Sequence, residues 1–516
     1  MQKKKFIKKF KENLLLKYLQ FIIVLLSSFF LIPYYLGNFS FKIYGAWLLV
    51  STITSWLMLL DPGSSNLIIQ QISRSIALKK DNKLPAIIIS GIINTFFVAS
   101  IILIIGIFLY TDIIYYFIES INLANKMYGV FLVTICSLSV MLIFHFFVGI
   151  MEGYNKPRIA GLSFIFLSVT KILLVILLIE NNYGIISLPL SDLISGLLIT
   201  ILIIIYFLFN ISLYIKKFDL TFKLYKDYTS LYFYNFSSRI SKILTNGGLD
   251  NLLIVKFISI ETITVYNLIQ TIPKKIETLI SVGFSASRTS LAYLSGSLSN
   301  NNYLKFKLRN FFAISIIFIF IIYLLFDLIN PFINLWLNIN LKLDTLIINL
   351  VILFTSLRIF SNYINIINFS EGKIKEVNKI QIIGSILLIP IIFILTKFFK
   401  LEGLIISHIL ILILILIFFG ISIYFDISNK KNTHKVIIFK FLINLLISTF
   451  CSTAIYSFIK DVLKITLDTW SQLIFISCLK IFILFFILFI FNKFFREEIL
   501  YIGSHHKMKP INKWKI

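Results

Sequence analysis

The sequence predicts an all-α polytopic membrane protein with 14 transmembrane helices, arranged as two pseudo-symmetric six-helix lobes followed by two extra helices. Composition is the first observation, because 58% of the 516 residues are hydrophobic and only 14% are charged. The mean hydropathy of +0.93 excludes a soluble globular protein of this size. A series of long apolar segments and an internal repeat are the second and third observations.

Fourteen apolar segments each approach the roughly 20 residues that a helix needs to cross a bilayer. In chain order, segments 1–14 are 18–36, 43–69, 84–110, 128–151, 159–180, 184–209, 231–255, 262–285, 311–333, 345–369, 378–398, 402–425, 436–459 and 470–492. The loops between them are too short for a folded extramembrane domain.

The basic residues predict the orientation of these segments. With the N-terminus inside, the inner loops and termini hold 34 Lys and Arg residues and the outer loops hold 8. This asymmetry follows the positive-inside rule and places both termini in the cytoplasm. It also accounts for the net charge of +26 without nucleic acid as a partner.

An internal repeat predicts the two lobes. Glu152-Gly153 recurs as Glu371-Gly372, and Gly184 recurs as Gly403, both at a displacement of 219. Because six helices separate the copies, the lobes share one orientation, related by an axis along the membrane normal. The predicted domains are a basic cytoplasmic N-terminus (1–17), an N-lobe (18–209), an amphipathic cytoplasmic linker (210–230), a C-lobe (231–425), segments 13 and 14 (426–492) and a cytoplasmic tail (493–516).

Segment 7 carries a polar stripe within a membrane-spanning helix. Its members are spaced by 4, 3, 4 and 4 residues and therefore share one helical face: Asn235, Arg239, Lys242, Asn246 and Asp250. A charge at the bilayer centre costs about 2.5–3.5 kcal/mol on insertion scales. The stripe therefore faces either a hydrated cavity or partners on other helices. We expect the helix to bend at Gly247-Gly248.

Segments 8 and 10 repeat this pattern. One face of segment 8 holds Tyr266, Gln270, Lys274, Glu277 and Ser281, and one face of segment 10 holds Arg358, Asn362 and Asn365. An intramembrane Arg is a functional candidate by default. Two structural alternatives remain open, namely a Lys274–Glu277 pair within the helix and an Arg358 that binds neighbouring carbonyl groups.

Asp61-Pro62-Gly63 interrupts segment 2, and we predict a break there because proline removes a helical hydrogen bond. Asp61 then either caps the following helix, which we favour, or titrates or binds a cation.

Four other polar residues within the segments have a structural interpretation. His408, on segment 12, is expected to be buried and satisfied. Lys171, Asp192 and Lys480 are expected near segment ends or with their charged ends reaching the interface.

The sequence shows no catalytic or cofactor motif. There is no phosphate-binding loop, and Cys136, Cys451 and Cys478 are too few and too separated for a metal site. We therefore expect no cofactor, no metal and no enzymatic activity.

Three stretches resemble one family. Residues 31–74 resemble the first helical hairpin of bacterial polysaccharide-repeat-unit flippases (the Wzx-type transporters of O-antigen and capsule). Residues 147–161 resemble the end of their fourth helix, and residues 248–273 resemble their helix 7–8 hairpin. The family belongs to the multidrug/oligosaccharidyl-lipid/polysaccharide (MOP) superfamily. The first-helix arginine of the peptidoglycan-lipid branch has no counterpart here, which argues against lipid II as the substrate.

The resemblance implies a flippase of the bacterial inner membrane that moves undecaprenyl-diphosphate-linked oligosaccharides by alternating access. A proton or cation would be the coupling ion, and polysaccharide polymerase or chain-length proteins would be possible partners. Cationic contacts to the diphosphate would come from Arg239, Lys242, Lys274 and Arg358. Sugar hydroxyls would meet Asn235, Asn246, Gln270, Asn362 and Asn365, and the coupling candidates are Asp61, Asp250 and Glu277.

Two alternatives are a multidrug or cation antiporter of the same superfamily and a membrane polysaccharide polymerase or ligase. An antiporter should have a net acidic cavity, whereas segments 7, 8 and 10 hold more basic than acidic residues. A polymerase or ligase would normally carry a sizeable external loop with catalytic residues.

Overall fold

In a computed structural model of the chain, the described residues are 2–61, 64–77, 84–210, 241, 243–245, 247–297, 300–338, 343–370, 374–428, 433–463 and 467–491. Their regular secondary structure is entirely helical, and no strand occurs among them. The predicted all-α class is therefore confirmed. Residues 211–230 of the predicted linker (210–230) and all of the predicted tail (493–516) fall outside the described residues.

The described residues of the first half of the chain form seven helices. They are α1 (Gln2–Asn38), α2 (Phe41–Leu57), α3 (Ser64–Ala77), α4 (Leu84–Phe117), α5 (Ile121–Gly153), α6 (Pro157–Glu180) and α7 (Ser187–Asn210), with short 3-10 turns at Met58–Leu60 and Gly184–Ile186.

The described residues of the second half form eight more helices. They are α8 (Asp250–Phe257), α9 (Ile260–Ser297), α10 (Asn300–Leu325), α11 (Ile329–Leu337), α12 (Thr345–Ser370), α13 (Ile374–Ser428), α14 (Thr433–Leu463) and α15 (Trp470–Phe491).

The length and apolar character of the helices define a multi-pass membrane protein. In the described part of the chain, nine helices are long and apolar enough to cross a membrane, or ten if the bent pair α10–α11 is one span. Predicted segments 11 and 12 are joined in α13 across a kink at Lys400, where φ is 49°. Segments 8 and 13 correspond to helices outside this set, and segment 7 is described only in part, so the count of 14 stays a prediction.

The chain groups into two compact units, which cut across the order of the sequence. One comprises Met1–Thr271 with Asn378–Ile411, and the other comprises Ile272–Val377 with Leu412–Ile516. In the first unit, α5 packs against α2, α3, α4, α6 and α7. In the second, α10 packs against α12, α14 and α15. The predicted division into six-helix lobes stays a prediction.

Segment 2 is broken where the sequence predicts it. Helix α2 and its 3-10 extension end at Leu60, and α3 begins at Ser64. The buried Asp61 accepts a hydrogen bond from the backbone N–H of Ser64 at 2.9 Å, which is the contact of a helix N-cap. This contact is the capping role that the sequence favours for Asp61, and the described span ends at Leu60, short of the predicted end of segment 2 at residue 69.

Candidate functional site

A glycine turn interrupts segment 7 and positions its carboxylate. Residues 243–245 are helical, the N–H of Gly248 bonds the carbonyl of Ile243 at 2.9 Å, and α8 begins at Asp250. Gly247 has φ of +90°, and a Cβ atom there would lie 2.5 Å from Oδ2 of Asp250. Both the conformation and the space therefore require glycine. The structure places a turn at the glycine pair, where the sequence predicts a bend.

Asp250 is the centre of a buried polar network. Its Oδ2 accepts a hydrogen bond from the hydroxyl of Tyr266 at 2.6 Å, and its Oδ1 lies 2.7 Å from Nε2 of His408. The side chains of His408 and Asp250 are 1% and 5% exposed. Three helices, α8, α9 and α13, thus meet at one carboxylate. The carboxylate also lies at the first residue of α8, where the helix dipole favours negative charge.

A second set of hydrogen bonds holds α8 in place within the same unit. Nε1 of Trp56 donates to the carbonyl of Gly248 at 2.8 Å, so α2 fixes the turn itself. Nδ2 of Asn251 donates to Oγ1 of Thr52 at 2.8 Å, and Nδ2 of Asn267 donates to Oδ1 of Asn251 at 3.0 Å. Any movement of α8 relative to α2 or α9 must therefore break polar contacts in a low-dielectric setting.

Gln270 lies one turn beyond Tyr266 on the polar face of α9. Its side chain is buried, and its Nε2 has no hydrogen-bond partner within the described residues. A buried amide without a partner costs about 1–3 kcal/mol. An unsatisfied donor of this kind fits a group that takes up a ligand oxygen.

The second unit contains a carboxylate–guanidinium pair. Nη2 of Arg358 on α12 contacts Oε2 of Glu277 on α9, and Nδ2 of Asn362 donates to Oε1 of the same carboxylate at 3.2 Å. The two charged side chains are 7% and 15% exposed. The guanidinium also lies 5.1 Å from the ring centroid of Phe354. Arg358 therefore has a carboxylate partner, and Asn362 reinforces it.

The other predicted site residues are placed as follows. Asn235, Arg239, Lys242 and Asn246 lie outside the described residues. Lys274 is half-buried on α9, and Oδ1 of Asn365 on α12 is buried without a hydrogen-bond partner in the described part. Across the residues that the structure describes, no group of three or more His, Cys, Asp or Glu side chains is placed to hold a metal ion.

His408 is the functional candidate that sequence reasoning missed. It is buried and satisfied, as predicted, but its partner is Asp250. A signal was present in the predicted topology, since Asp250 lies five residues from the outer end of segment 7 and His408 six residues from the outer end of segment 12. Two polar groups at nearly the same depth in one membrane protein are candidates for a pair.

The spans define the class of protein, which is a multi-pass helical membrane protein, and its fold is similar to that of several solved transporters. No protein-family model and no curated protein sequence matches the chain. The lipid II flippase MurJ in an inward closed conformation is similar with a TM-score of 0.65 and 18% identity, covering 94% of this chain and 99% of that chain. An inward-facing multidrug resistance MATE family transporter is similar with a TM-score of 0.63 and 13% identity, covering 80% of this chain and 96% of that chain. A MOP superfamily transporter from Pyrococcus furiosus is similar with a TM-score of 0.56 and 13% identity, covering 81% of this chain and 96% of that chain.

Proposed function

We propose that the protein is a flippase of the bacterial inner membrane. Its substrate would be an undecaprenyl-diphosphate-linked oligosaccharide repeat unit, moved from the cytoplasmic to the outer leaflet for surface polysaccharide synthesis. The observation that carries this proposal is the extent of the structural likeness. The lipid II flippase covers 94% of the chain, whereas the MATE multidrug structures cover 80–82%. A lipid-flippase architecture thus accounts for more of this chain than a drug exporter does.

The charges of the polar segments support an anionic substrate. Segments 7, 8 and 10 together hold five basic and two acidic residues. A diphosphate carries negative charge at the end of a long hydrocarbon, so moving it requires cations within the membrane. Arginine suits this role because its guanidinium binds two phosphate oxygens at once.

Arg358 offers a specific means of recognition by partner exchange. Its guanidinium is held by Glu277, with Asn362 on the same carboxylate. A phosphate oxygen would compete with Glu277 for the guanidinium, so substrate binding would exchange one partner of Arg358 for another. Glu277, released from the guanidinium, is the coupling candidate of this pair.

The Asp250 network is the second candidate for coupling. Because Asp250 and His408 form a buried pair at a junction of three helices, a change in the charge of this pair would act on all three helices. Lys274, Gln270 and Asn365 would complete the contacts to phosphate and sugar, and Arg239, Lys242, Asn235 and Asn246 would extend them along segment 7.

The proposal is tested by following lipid-linked repeat units in cells that lack the gene. We expect the repeat units to accumulate on the cytoplasmic leaflet, and Arg358→Ala and Arg239→Ala to fail to restore surface polysaccharide. Arg158→Ala is the matched control, since Arg158 pairs with Glu12 on an exposed surface and its side chain is 69% exposed. Normal polysaccharide in both variants would contradict the assignment of these residues. Repeat units that still reach the outer leaflet without any other flippase would contradict the function.

A multidrug or cation antiporter is the second candidate, favoured by the TM-score of 0.63 to a MATE transporter. It predicts that cells lacking the gene become sensitive to cationic drugs and retain fluorescent cationic dyes, while lipid-linked repeat units are distributed normally.

A further inference from the structure

Lys480 is a charged residue in the middle of the apolar helix α15. Its side chain lies on the buried face of this helix, in helical register with Ile476, Ile483 and Leu484, and only 1% of the residue is exposed. The expectation that Lys480 lies near a segment end or reaches the interface is therefore wrong. An ammonium group in this setting requires compensation from the protein, since removing it from water costs several kcal/mol.

The compensation comes from backbone carbonyl groups at a broken helix. Nζ of Lys480 donates hydrogen bonds to the carbonyl oxygens of Tyr323 at 3.1 Å and Phe326 at 2.5 Å. These carbonyls lie at the C-terminal end of α10, where the chain turns through 56° before α11 and Asp327 adopts a φ of 64°. The last carbonyls of a helix have no partner within it and form the negative end of its dipole. A positive charge at this position binds the last carbonyl groups and also interacts favourably with the negative end of the helix dipole.

Aromatic rings complete the surroundings of the ammonium group. Nζ lies 4.4 Å from the ring centroid of Tyr456, 5.3 Å from that of Tyr323 and 6.0 Å from that of Phe326. Within the described residues, no carboxylate oxygen lies within ion-pair distance of Nζ. Neutral carbonyl oxygens and ring faces stabilise a single positive charge, whereas divalent cations prefer several carboxylate ligands.

A cavity of about 350 Å³ adjoins Lys480. Its lining includes the carboxylates of Asp327 and Asp461 and the ammonium group of Lys460. The cavity is large enough for small ions, and its two carboxylates balance the two ammonium groups of Lys460 and Lys480.

We propose that the break between α10 and α11 is a binding site for a small monovalent cation, which the protein fills with its own Lys480 ammonium group. Broken membrane helices present carbonyl groups that hold monovalent cations in transporters, and a tethered ammonium group replaces such an ion permanently. The site lies on helices α10, α14 and α15, apart from the residues assigned to the proposed flippase function. The proposed cation site is separate from the proposed flippase function and does not depend on it.

The proposal is tested with purified Lys480→Ala in detergent, by measuring the thermal unfolding midpoint in chloride salts at equal ionic strength. Removing the side chain leaves the carbonyls and rings in place with an empty space for an ion. We expect the unfolding midpoint of Lys480→Ala to lie below that of the wild type. It should then rise saturably with the concentration of ammonium or methylammonium, whereas the wild-type midpoint should not change with either salt. Restoration by sodium or potassium in place of ammonium would identify direct coordination by the carbonyls. Bulky N-methylglucamine serves as the control salt.

Two further variants make the result decisive. Lys480→Met fills the space with an apolar chain of similar length, so it should fold and show no response to cations. Lys171→Ala removes an intramembrane lysine that pairs with Asp192 and whose side chain is 41% exposed, and it should also show no saturable response. The proposal is overturned if Lys480→Ala responds no more than these variants do. It is also overturned if Lys480→Ala fails to fold in every salt while Lys480→Met folds. Since no substrate is needed, either failure leaves the proposed function standing.

Discussion

The pair between Asp250 and His408 gives the sharpest prediction for the first unit. His408→Ala removes the imidazole at 2.7 Å from Oδ1 and leaves a buried carboxylate with the hydroxyl of Tyr266 at 2.6 Å. Leaving one partner of a buried hydrogen bond unsatisfied costs about 1–3 kcal/mol, because the desolvated group is not compensated. We expect the loss of unfolding free energy near the upper end, at about 3 kcal/mol, because both side chains are almost fully buried.

A double-mutant cycle separates this pair from general packing. Asp250→Asn removes the charge, so the double variant should lose less than the sum of the single losses. We expect a coupling free energy of about 2–3 kcal/mol. Unfolding free energies would be measured by SDS titration of the purified variants in detergent micelles.

His145→Ala is the matched control for the cycle. His145 is also a partly buried histidine on a membrane helix, but its ring packs against those of Phe144 and Phe164. Combined with Asp250→Asn, it should show no coupling. A coupling below about 0.5 kcal/mol for Asp250 and His408 would refute the account of this network.

Three other predictions concern stability and are measured as changes in unfolding. Arg358→Ala should lower the unfolding free energy by about 3–5 kcal/mol, because Glu277 stays buried. Adding Glu277→Gln should recover most of that loss, and additive losses in the double variant would contradict the pairing. Gly247→Ala should lower the thermal midpoint more than Gly184→Ala does, because both have positive φ but only Gly247 lacks room for a Cβ atom. Gly45→Ala should also lower the midpoint, since its Cβ atom would lie 2.4 Å from a backbone carbonyl oxygen of α9, and an unchanged midpoint would show that the helices separate without cost.

Local features of the structure could be predicted from the sequence. The all-helical class follows from the length and apolar character of the segments. The bend at Gly247-Gly248 and the cap at Asp61 follow from residues whose backbone preferences act within a few positions. These properties depend on neighbours in the chain, so one sequence is enough to predict them.

Partners across helices could not be predicted in the same way. Asp250 and His408 are 158 positions apart, and Arg358 and Glu277 are 81 apart. Helical spacing shows which residues share a face, but it does not show which helix that face meets. Lys480 was misinterpreted for the same reason, since its compensation comes from backbone carbonyls at a distant break that has no side-chain signature.

The most direct test of the central claim is the leaflet position of lipid-linked repeat units in spheroplasts that lack the gene and carry either an empty plasmid or the wild-type gene. A membrane-impermeant sugar-oxidising reagent would label the units exposed on the outer leaflet. The flippase account predicts little labelling with the empty plasmid and normal labelling with the wild-type gene. Equal labelling in both strains, with no other flippase present, would contradict it.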